Sequence, residues 1–294
     1  ANLFLGYLAD GVELGGQVSL DRGRAEEALA AVGGELGLDA LETALGVVRV
    51  ADAEMVRALR VISVERGLDP RDFALVAFGG AGGMHACSLA EELGMRTVLV
   101  PRASGVLSAL GLAISDLRRD YASPYLSALE DVDAGALDEA FEELQRLAAG
   151  DLDSPELTRR ADLRYRGQSF ELTVAADEPR ELAARFHDAH ERRYGYRMEE
   201  EPVELVSLRL IAISPVEAPK LSEEAVEGEP APERRRACFD GDWLEIDVRG
   251  RGRMGEGSAV EGPAIVEFSE ATCVVRPGWR GAIDGAGTLV LERP

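Results

Sequence analysis

The residues best suited to chemistry stand together between Phe78 and Ala86: Gly79, Gly80, Ala81, Gly82, Gly83 and His85. An apolar run precedes them and a helical pattern follows, which predicts a strand, a glycine-rich turn and the start of a helix. Such a turn gathers unpaired backbone N–H groups where no Cβ atom blocks a ligand, and the helix dipole favours an anion there. The turn is therefore a candidate phosphate or nucleotide cradle. The structural alternative is that the glycines only let the helix pack closely.

The surrounding residues complete neither of two common nucleotide motifs. A dinucleotide-binding fold needs a third glycine and an acidic residue about 20 positions later. Here His85 stands at the glycine position, and the next strand ends at Pro101-Arg102. A P-loop needs Gly-Lys-Ser/Thr after its glycines, and no such run follows. The sequence therefore argues against NAD and excludes a P-loop.

Other candidate residues carry weaker signals. His85 either contacts a nucleotide or caps the first helical turn. His187 and His190, with Glu191 beside them, share a helix face as metal ligands can, but no third ligand is visible, and a polar helix edge is favoured. Cys87 is expected to be a small buried hydrophobe rather than a nucleophile. We assign no catalytic residue and no metal ligand from the sequence.

Composition narrows the class of protein. The chain has 294 residues and a formal net charge of -22, which argues against nucleic acid and anionic membranes as partners. Its three distant cysteines indicate reduced thiols in a cytoplasmic protein. No stretch is long and apolar enough to span a bilayer. The first residues show neither an initiator methionine nor a signal peptide, so we expect a fragment or a processed product.

The elements around the turn predict an α/β fold. Helical spacing is broken at Gly33-Gly34, and Asp52 is the expected N-cap of a further helix. Short buried strands over 74–78 and 97–100 flank the helix that follows the turn, so they should be parallel with a right-handed crossover. The predicted helices cover 24–36, 39–49, 52–66, 83–94 and 105–117.

Residues 121–214 predict a small α+β domain. A connector covers 118–133, and the helix after it should bury an apolar face made of Leu137, Ala140, Phe141, Leu144 and Leu147. Alternating apolar residues predict a hairpin, whose inward side chains are Ala161, Leu163, Tyr165, Phe170, Leu172 and Val174. A helix over 181–194 and a strand over 203–213 complete this domain.

The last part of the chain predicts a linker and a β-rich domain. Residues 215–234 are rich in Pro and Glu, which is typical of an exposed linker. Short strands punctuated by Gly and Pro then predict a small sheet or barrel over 235–294. The expected strands cover 236–239, 243–248, 264–268, 272–275 and 288–291.

Several stretches together carry a family resemblance over nearly the whole chain: 1–3 with 5–6, 63–73, 78–82, 98–101 with 105–111, 165–168, 190–196 and 262–265. With these motifs the chain resembles the A subunit of the ATP-dependent hydantoinase/5-oxoprolinase family, which also includes ketone carboxylase subunits. The family usually has Gly-Gly-Ala-Gly-Pro-Leu-His at the turn. Here Gly83-Met84 replace Pro-Leu, which keeps His85 but loses a proline that is pre-organised for a helix start.

The resemblance implies a partial ATPase lobe similar to actin, Hsp70 and the sugar kinases, in which ATP lies between two lobes. The turn residues and His85 then match the late, adenosine-side glycine turn. The early phosphate loops with their catalytic aspartate have no counterpart here. Residues 1–120 would therefore be the C-terminal part of an actin-like ATPase core, followed by the α+β domain over 121–214 and the β-rich domain over 235–294.

The implied reaction is ATP-driven opening of a cyclic amide, in which phosphorylation of the ring carbonyl oxygen activates the amide and Mg²⁺ neutralises charge. This chain alone would be inactive. A ketone carboxylase subunit and a non-catalytic nucleotide-binding or interaction module remain alternatives. The implied partners are the N-terminal half of the same subunit and a hydantoinase B-type subunit, within an oligomer. Four aromatic residues lie near the ends of predicted helices and strands, and they either anchor such an interface or pack in the local core. They are Tyr194, Tyr196, Trp243 and Trp279.

Overall fold

Residues 1–14, 18–217 and 231–294 are described in a computed structural model. They form two units. The first combines Ala1–Gly111 with Leu221–Pro294, and the second is Leu112–Lys220. The expectation of a separate β-rich domain over 235–294 is therefore wrong, because these residues share a sheet with the N-terminal segment. Most of the predicted linker lies outside the described residues.

The helices of the first unit are α1 Arg22–Leu36, α2 Ala40–Ile62 and α3 Gly82–Leu93, while α4 Leu107–Ile114 begins in the first unit and ends in the second. The predicted helix start at Asp52 is wrong, because α2 runs through this residue. The actual N-cap is Asp39, which forms a reciprocal capping box with Glu42: the Asp39 side chain accepts from the Glu42 N–H at 2.8 Å, and the Glu42 side chain accepts from the Asp39 N–H at 2.9 Å. The helix after the turn is confirmed, and Gly94 ends it with φ at 70°.

Gly33 and Gly34 do not break α1, contrary to the prediction. Gly33 lies against the start of α2, where a Cβ atom would stand 2.2 Å from the Thr43 side chain and 2.7 Å from the Leu38 carbonyl oxygen. A Cβ atom on Gly34 would meet nothing within 4 Å. The first glycine thus serves helix packing, whereas the second faces open space.

A five-stranded sheet, a four-stranded sheet and α3 form the main core of the first unit. The strands before α3 and after it are β3 Leu75–Val76 and β4 Thr97–Val100, after the short pair β1 Glu13–Leu14 and β2 Val18–Ser19. As predicted, β3 and β4 are parallel, with Leu75 opposite Val98. The C-terminal strands are β9 Glu233–Phe239, β10 Asp242–Gly250, β11 Ala259–Glu261, β12 Ala264–Glu267, β13 Thr272–Val275, β14 Arg280–Ile283 and β15 Leu289–Glu292.

These strands join into sheets of order β11-β14-β15-β4-β3 and β13-β12-β10-β9. The antiparallel pairing of β15 with β4, in which Leu291 lies opposite Val98, ties the two chain segments together. Small residues of α3 share one buried cluster with both sheets, and Trp279 is fully buried in it. The helix that follows the glycine turn is therefore part of the main core.

The second unit is a four-stranded antiparallel sheet with order β5-β8-β6-β7, and its core joins the sheet to two helices. Its elements are β5 Leu117–Ala128, α5 Ala134–Asp151, β6 Glu156–Tyr165, β7 Leu172–Ala175, α6 Leu182–Tyr194 and β8 Val203–Ser214. The predicted hairpin is confirmed, because β6 pairs with β7. The predicted connector over 118–133 is wrong over its first part, which is the edge strand β5. The charged residues at the start of β5 and Pro124 are typical of a connector, but an edge strand tolerates both.

Two side chains predicted to face the core of this unit are exposed: Leu147 at 56% and Phe170 at 79%. Ala148 takes the inward place on α5, and Phe170 lies before the start of β7. Among the described residues, no helix is long and apolar enough to cross a membrane.

The two neighbouring glycines of α1 provide a matched stability test. Gly33→Ala should lower the free energy of unfolding by roughly 1–3 kcal/mol, because the added methyl group overlaps the backbone before α2. Gly34→Ala should raise it by roughly 0.5–1 kcal/mol, since alanine is the better helix former and has room. Urea denaturation of the variants measures both changes. Equal effects at the two positions would contradict the close approach at Gly33.

Candidate functional site

The backbone of the glycine turn is hydrogen-bonded to two other segments of the first unit, at Ser104 and at Thr272. Gly79 adopts a left-handed conformation with φ at 81°, which favours glycine. Its N–H donates to the Ser104 carbonyl at 2.7 Å, and the Gly80 carbonyl accepts from the Thr272 N–H at 3.3 Å. The backbone that enters α3 is thus fixed on both sides, while Gly80 and Ala81 are exposed.

The two interpretations of the turn apply to different glycines. A Cβ atom on Gly83 would stand 2.7 Å from the Thr272 carbonyl oxygen and 3.0 Å from the Cys273 Cα, so this glycine lets α3 pack on β13. A Cβ atom on Gly82 would find its nearest neighbour, the Ala77 carbonyl carbon, at 3.8 Å. The N-cap residue Ala81 makes no side-chain hydrogen bond to the helix start. The space beside Gly82 is thus open at a helix end that attracts anions.

His85 contacts Asp52, a residue that was predicted to be the N-cap of a helix. Its Nδ1 lies 2.6 Å from Asp52 Oδ1, and the hydroxyl of Ser88 donates to the other oxygen of the same carboxylate. Asp52, in the middle of α2, therefore binds two side chains of α3 and helps to fix the helix behind the turn. The pattern that suggested an N-cap at Asp52 contained no signal for this contact, because its partners lie 33 and 36 residues away.

A cavity of about 660 Å³ lies beside this carboxylate, and Asp52, Ser88, Tyr7, Glu91 and Arg276 are among the residues that line it. A second cavity of about 440 Å³ is lined by residues that include Gly105 and Glu270, close in sequence to Ser104 and Thr272. Neither lining includes residues 79–83. The turn is thus an open surface rather than the wall of either cavity.

The histidine pair of α6 does not converge on a common point. His187 Nδ1 lies 2.7 Å from the Tyr165 hydroxyl oxygen, whereas His190 Nδ1 lies 2.8 Å from the Tyr196 carbonyl oxygen. His190 is only 2% exposed and its ring contacts those of Tyr165 and Tyr194, so the prediction of a polar helix edge is wrong for this residue. Among the described residues, no group of three or more His, Cys, Asp or Glu is arranged to hold a metal ion.

The cysteines and Trp279 are part of the core. All three cysteines are free and buried, and burial raises the pKa of the Cys87 thiol to about 12. The pKa values of Cys238 and Cys273 are also raised by burial. Cys87 is therefore a small buried hydrophobic residue, as predicted. Trp279 cannot anchor an interface, since it is fully buried and its Nε1 donates to Glu91 at 2.8 Å.

The three histidines should differ in tautomer, because their Nδ1 partners differ. A carbonyl or carboxylate oxygen only accepts, so the neutral rings of His85 and His190 should carry the proton on Nδ1. The Tyr165 hydroxyl oxygen already accepts from the Met198 N–H, so we expect the hydroxyl to donate to His187 Nδ1, and His187 should then carry its proton on Nε2.

Long-range ¹H–¹⁵N spectra in alkaline buffer resolve these tautomers for the only histidines of the chain. Asp52→Asn should shift the tautomer balance at His85 and leave the other two rings unchanged. A His85 ring that carries its proton on Nε2 in the unmodified chain would contradict the bond to Asp52.

Comparison with known proteins places the chain in a family. Residues 1–121 match the hydantoinase/oxoprolinase family model, and residues 127–293 match the model of the hydantoinase/oxoprolinase C-terminal domain. An uncharacterised protein of Methanocaldococcus jannaschii is 37% identical over 299 residues, a match that covers 100% of this chain and 44% of the relative. The caprolactamase subunit alpha of Pseudomonas jessenii is 34% identical over 316 residues, covering 99% and 45% of the two chains.

Solved structures agree with these matches. A nucleotide-free acetone carboxylase has a TM-score of 0.87 at 27% identity, over 100% of this chain and 46% of its own. The ATP-dependent caprolactamase of Pseudomonas jessenii has a TM-score of 0.67 at 34% identity, over 99% and 46%. The chain thus spans less than half the length of these relatives. It has their mixed helix and sheet fold and belongs to the hydantoinase/oxoprolinase family.

Proposed function

We propose that this chain is the C-terminal part of an ATP-dependent cyclic amide hydrolase subunit, in which the glycine turn contacts ATP. The observation that carries the proposal is the open helix start at Gly82, where backbone N–H groups and the helix dipole meet without an obstructing side chain. The two solved relatives are an acetone carboxylase and a caprolactamase that are both ATP-dependent, which supports ATP as the ligand.

The residues present fit a nucleotide at this position. The exposed Gly80 and Ala81 allow a ligand to approach the backbone, and Gly79 sets the direction of the turn. We propose that His85, held by Asp52, contacts the nucleotide from the first part of α3. ATP would supply the phosphoryl group that activates the amide carbonyl, as the family resemblance implies. Gly83 fixes α3 on β13 and thus holds the helix start in place.

The parallel pair β3–β4 with α3 between them supports an actin-like lobe for this part of the chain. We propose that the remaining phosphate loops, the Mg²⁺ ligands and the catalytic aspartate come from the rest of the subunit, so that this chain alone has no ATPase activity. The buried free thiols are compatible with a cytoplasmic protein.

A ketone carboxylase subunit is the second candidate, and the TM-score of 0.87 to acetone carboxylase favours it. The identity of 34% to caprolactamase favours the amide hydrolase. ATP hydrolysis by the complete enzyme separates the two candidates: stimulation by a lactam, hydantoin or 5-oxoproline supports the amide hydrolase. Stimulation only by a ketone with bicarbonate would support the carboxylase instead.

We further propose that the second unit contacts a B-type subunit through the end of α6, because Tyr194 and Tyr196 are about half exposed, at 48% and 51%. A truncation that removes the second unit's helices and everything after them, from residue 134 onward, would not test this contact. It would also remove β9 to β15, which form most of the sheets of the first unit. The point variant Tyr194→Ser should weaken co-purification of the B-type subunit at least tenfold, with Leu147→Ser on α5 as an exposed control. Full retention of the complex would exclude this surface.

The ATP contact is tested in the complete subunit by variants of Gly82. Because the space beside Gly82 is empty in this chain, Gly82→Val should fold but obstruct a bound nucleotide. We expect ATP affinity to fall at least tenfold, or about 1.4 kcal/mol, by calorimetry. Gly34→Val is the control, since a Cβ atom added at Gly34 would meet nothing within 4 Å. Unchanged ATP affinity in folded Gly82→Val would contradict the proposal.

A further inference from the structure

The loop after β4 brings an arginine beside the glycine turn. Because β3 and β4 are parallel, their carboxyl ends lie at the same edge of the sheet, which is where open α/β sheets bind ligands. The turn follows β3, and Arg102 stands two residues after the end of β4. The Ser104 carbonyl of this loop accepts from the Gly79 N–H at 2.7 Å, so the loop and the turn are in direct contact.

Arg102 is a half-buried cation in the lining of the cavity of about 440 Å³. Its side chain passes Gly287, since a Cβ atom on that glycine would stand 3.4 Å from Arg102 Cδ. In the part of the chain that the structure describes, the Arg102 guanidinium forms no hydrogen bond and no ion pair. A guanidinium that is partly removed from water without a partner favours an anion in the cavity.

A second arginine of the same lining is almost completely buried. Arg251 is only 8% exposed, and its Nη1 donates to the Met254 carbonyl at 2.9 Å while its Nη2 donates to the Gly287 carbonyl. A Cβ atom on Gly287 would also stand 3.2 Å from Arg251 Nη2. The two arginines therefore lie against one glycine, and their charges add to a positive potential in this part of the cavity.

The hydroxyl group of Ser104 is a buried donor close to this cavity. Ser104 is only 1% exposed, and its Oγ has no hydrogen-bond partner among the described residues. It precedes Gly105, which lines the cavity. Buried hydroxyl groups nearly always have a partner, because an unpaired one loses its bonds to water without replacement. The loop thus carries two groups, the hydroxyl and the Arg102 guanidinium, that lack a partner within the described fold.

The carboxylates of the lining lie in water rather than in the protein. They are the exposed side chains of Glu256, Glu270 and Asp284. Asp284 Oδ1 also accepts from the N–H groups of Ala286 and Thr288 and so closes its own turn. Water and salt screen exposed charges more strongly than buried ones. The cavity therefore keeps its positive groups in the protein and its negative groups in solvent, which favours an anion inside it.

We propose that this cavity binds a phosphate group through Arg102, Arg251 and the Ser104 hydroxyl. A guanidinium fork matches two oxygens of a phosphate, and a hydroxyl donates to a further oxygen. The group is either inorganic phosphate or a phosphate of the nucleotide at the turn, and only the second source rests on the proposed function. The site is distinct from the open surface at Gly82, which does not line the cavity.

Calorimetric titration of the complete subunit with sodium phosphate, without nucleotide, tests the first source. Arg102→Gln should lower phosphate affinity at least tenfold, because it removes the unpartnered charge, and Arg102→Lys should keep part of the affinity. Arg253→Gln is the matched control: Arg253 is exposed and lies outside the lining, yet its loss changes the net charge equally. Equal losses in Arg102→Gln and Arg253→Gln would overturn the proposal, since a general charge effect would explain both.

Titrations with ADP and adenosine test the second source. If the bound group belongs to the nucleotide, Arg102→Gln should weaken ADP binding at least tenfold and leave adenosine binding unchanged. Phosphate and ADP affinities that are both unchanged in Arg102→Gln would overturn the proposal. If ADP affinity then still falls in Gly82→Val, the proposed function of the turn remains intact, so the two failures are distinguishable.

Thermal unfolding of Ser104→Ala separates a ligand contact from a structural role. Without ligand, removal of an unpaired hydroxyl should leave the Tm unchanged or raise it. Saturating phosphate or ADP should raise the Tm of the unmodified subunit relative to chloride of equal ionic strength, and Ser104→Ala should lose at least half of that increase. An equal decrease in Tm with and without these ligands would show that the hydroxyl serves the fold, and would contradict its place in the site.

Discussion

The close approach of α3 to β13 is the constraint on which the first unit depends. Gly83 has no room for a Cβ atom against the backbone of Thr272 and Cys273, and small residues continue along the same buried side of the helix. At the other end of α3, Glu91 accepts from Trp279 at 2.8 Å and from Arg276 Nε at 3.2 Å. Both ends of the helix are therefore fixed to the sheet region, and with them the turn that precedes it.

This arrangement explains how a glycine-rich segment can be rigid without being closed. Gly79 and Gly80 form backbone hydrogen bonds to Ser104 and Thr272, and Asp52 in α2 bonds to His85. The part of the turn that a ligand can reach is therefore the open surface around Gly82. Preorganised backbone donors lose little conformational entropy when a ligand binds, which is the physical advantage of such a turn for an anion.

Local sequence patterns correctly predicted the helices and strands whose periodicity and terminal residues are distinct. The α3 helix and its terminal glycine follow from apolar spacing and Gly94, and the β6–β7 hairpin follows from alternation. Long-range contacts were not predictable in the same way. Asp52 was predicted as an N-cap because an aspartate at the start of a helical pattern is typical of one, and its contact with His85 is not visible in the sequence. In the same way, no residue near Trp279 in the sequence indicates that its partner is Glu91.

The division into units was missed for a similar reason. The strand pairing of β15 with β4 joins segments from opposite ends of the chain, and no local pattern encodes such a partner. Edge strands are also difficult to predict, because β5 carries charges and a proline that are typical of connectors. The strand β3 has only two residues, yet it leads directly into the candidate site.

Amide hydrogen exchange with and without ATP tests whether the turn at 79–83 and the first part of α3 bind nucleotide in the complete subunit, because it observes the backbone N–H groups themselves. We expect ATP to slow exchange in peptides covering residues 78–88, while exchange in α5 is unchanged. Protection elsewhere in the subunit with no change in these peptides would contradict this expectation.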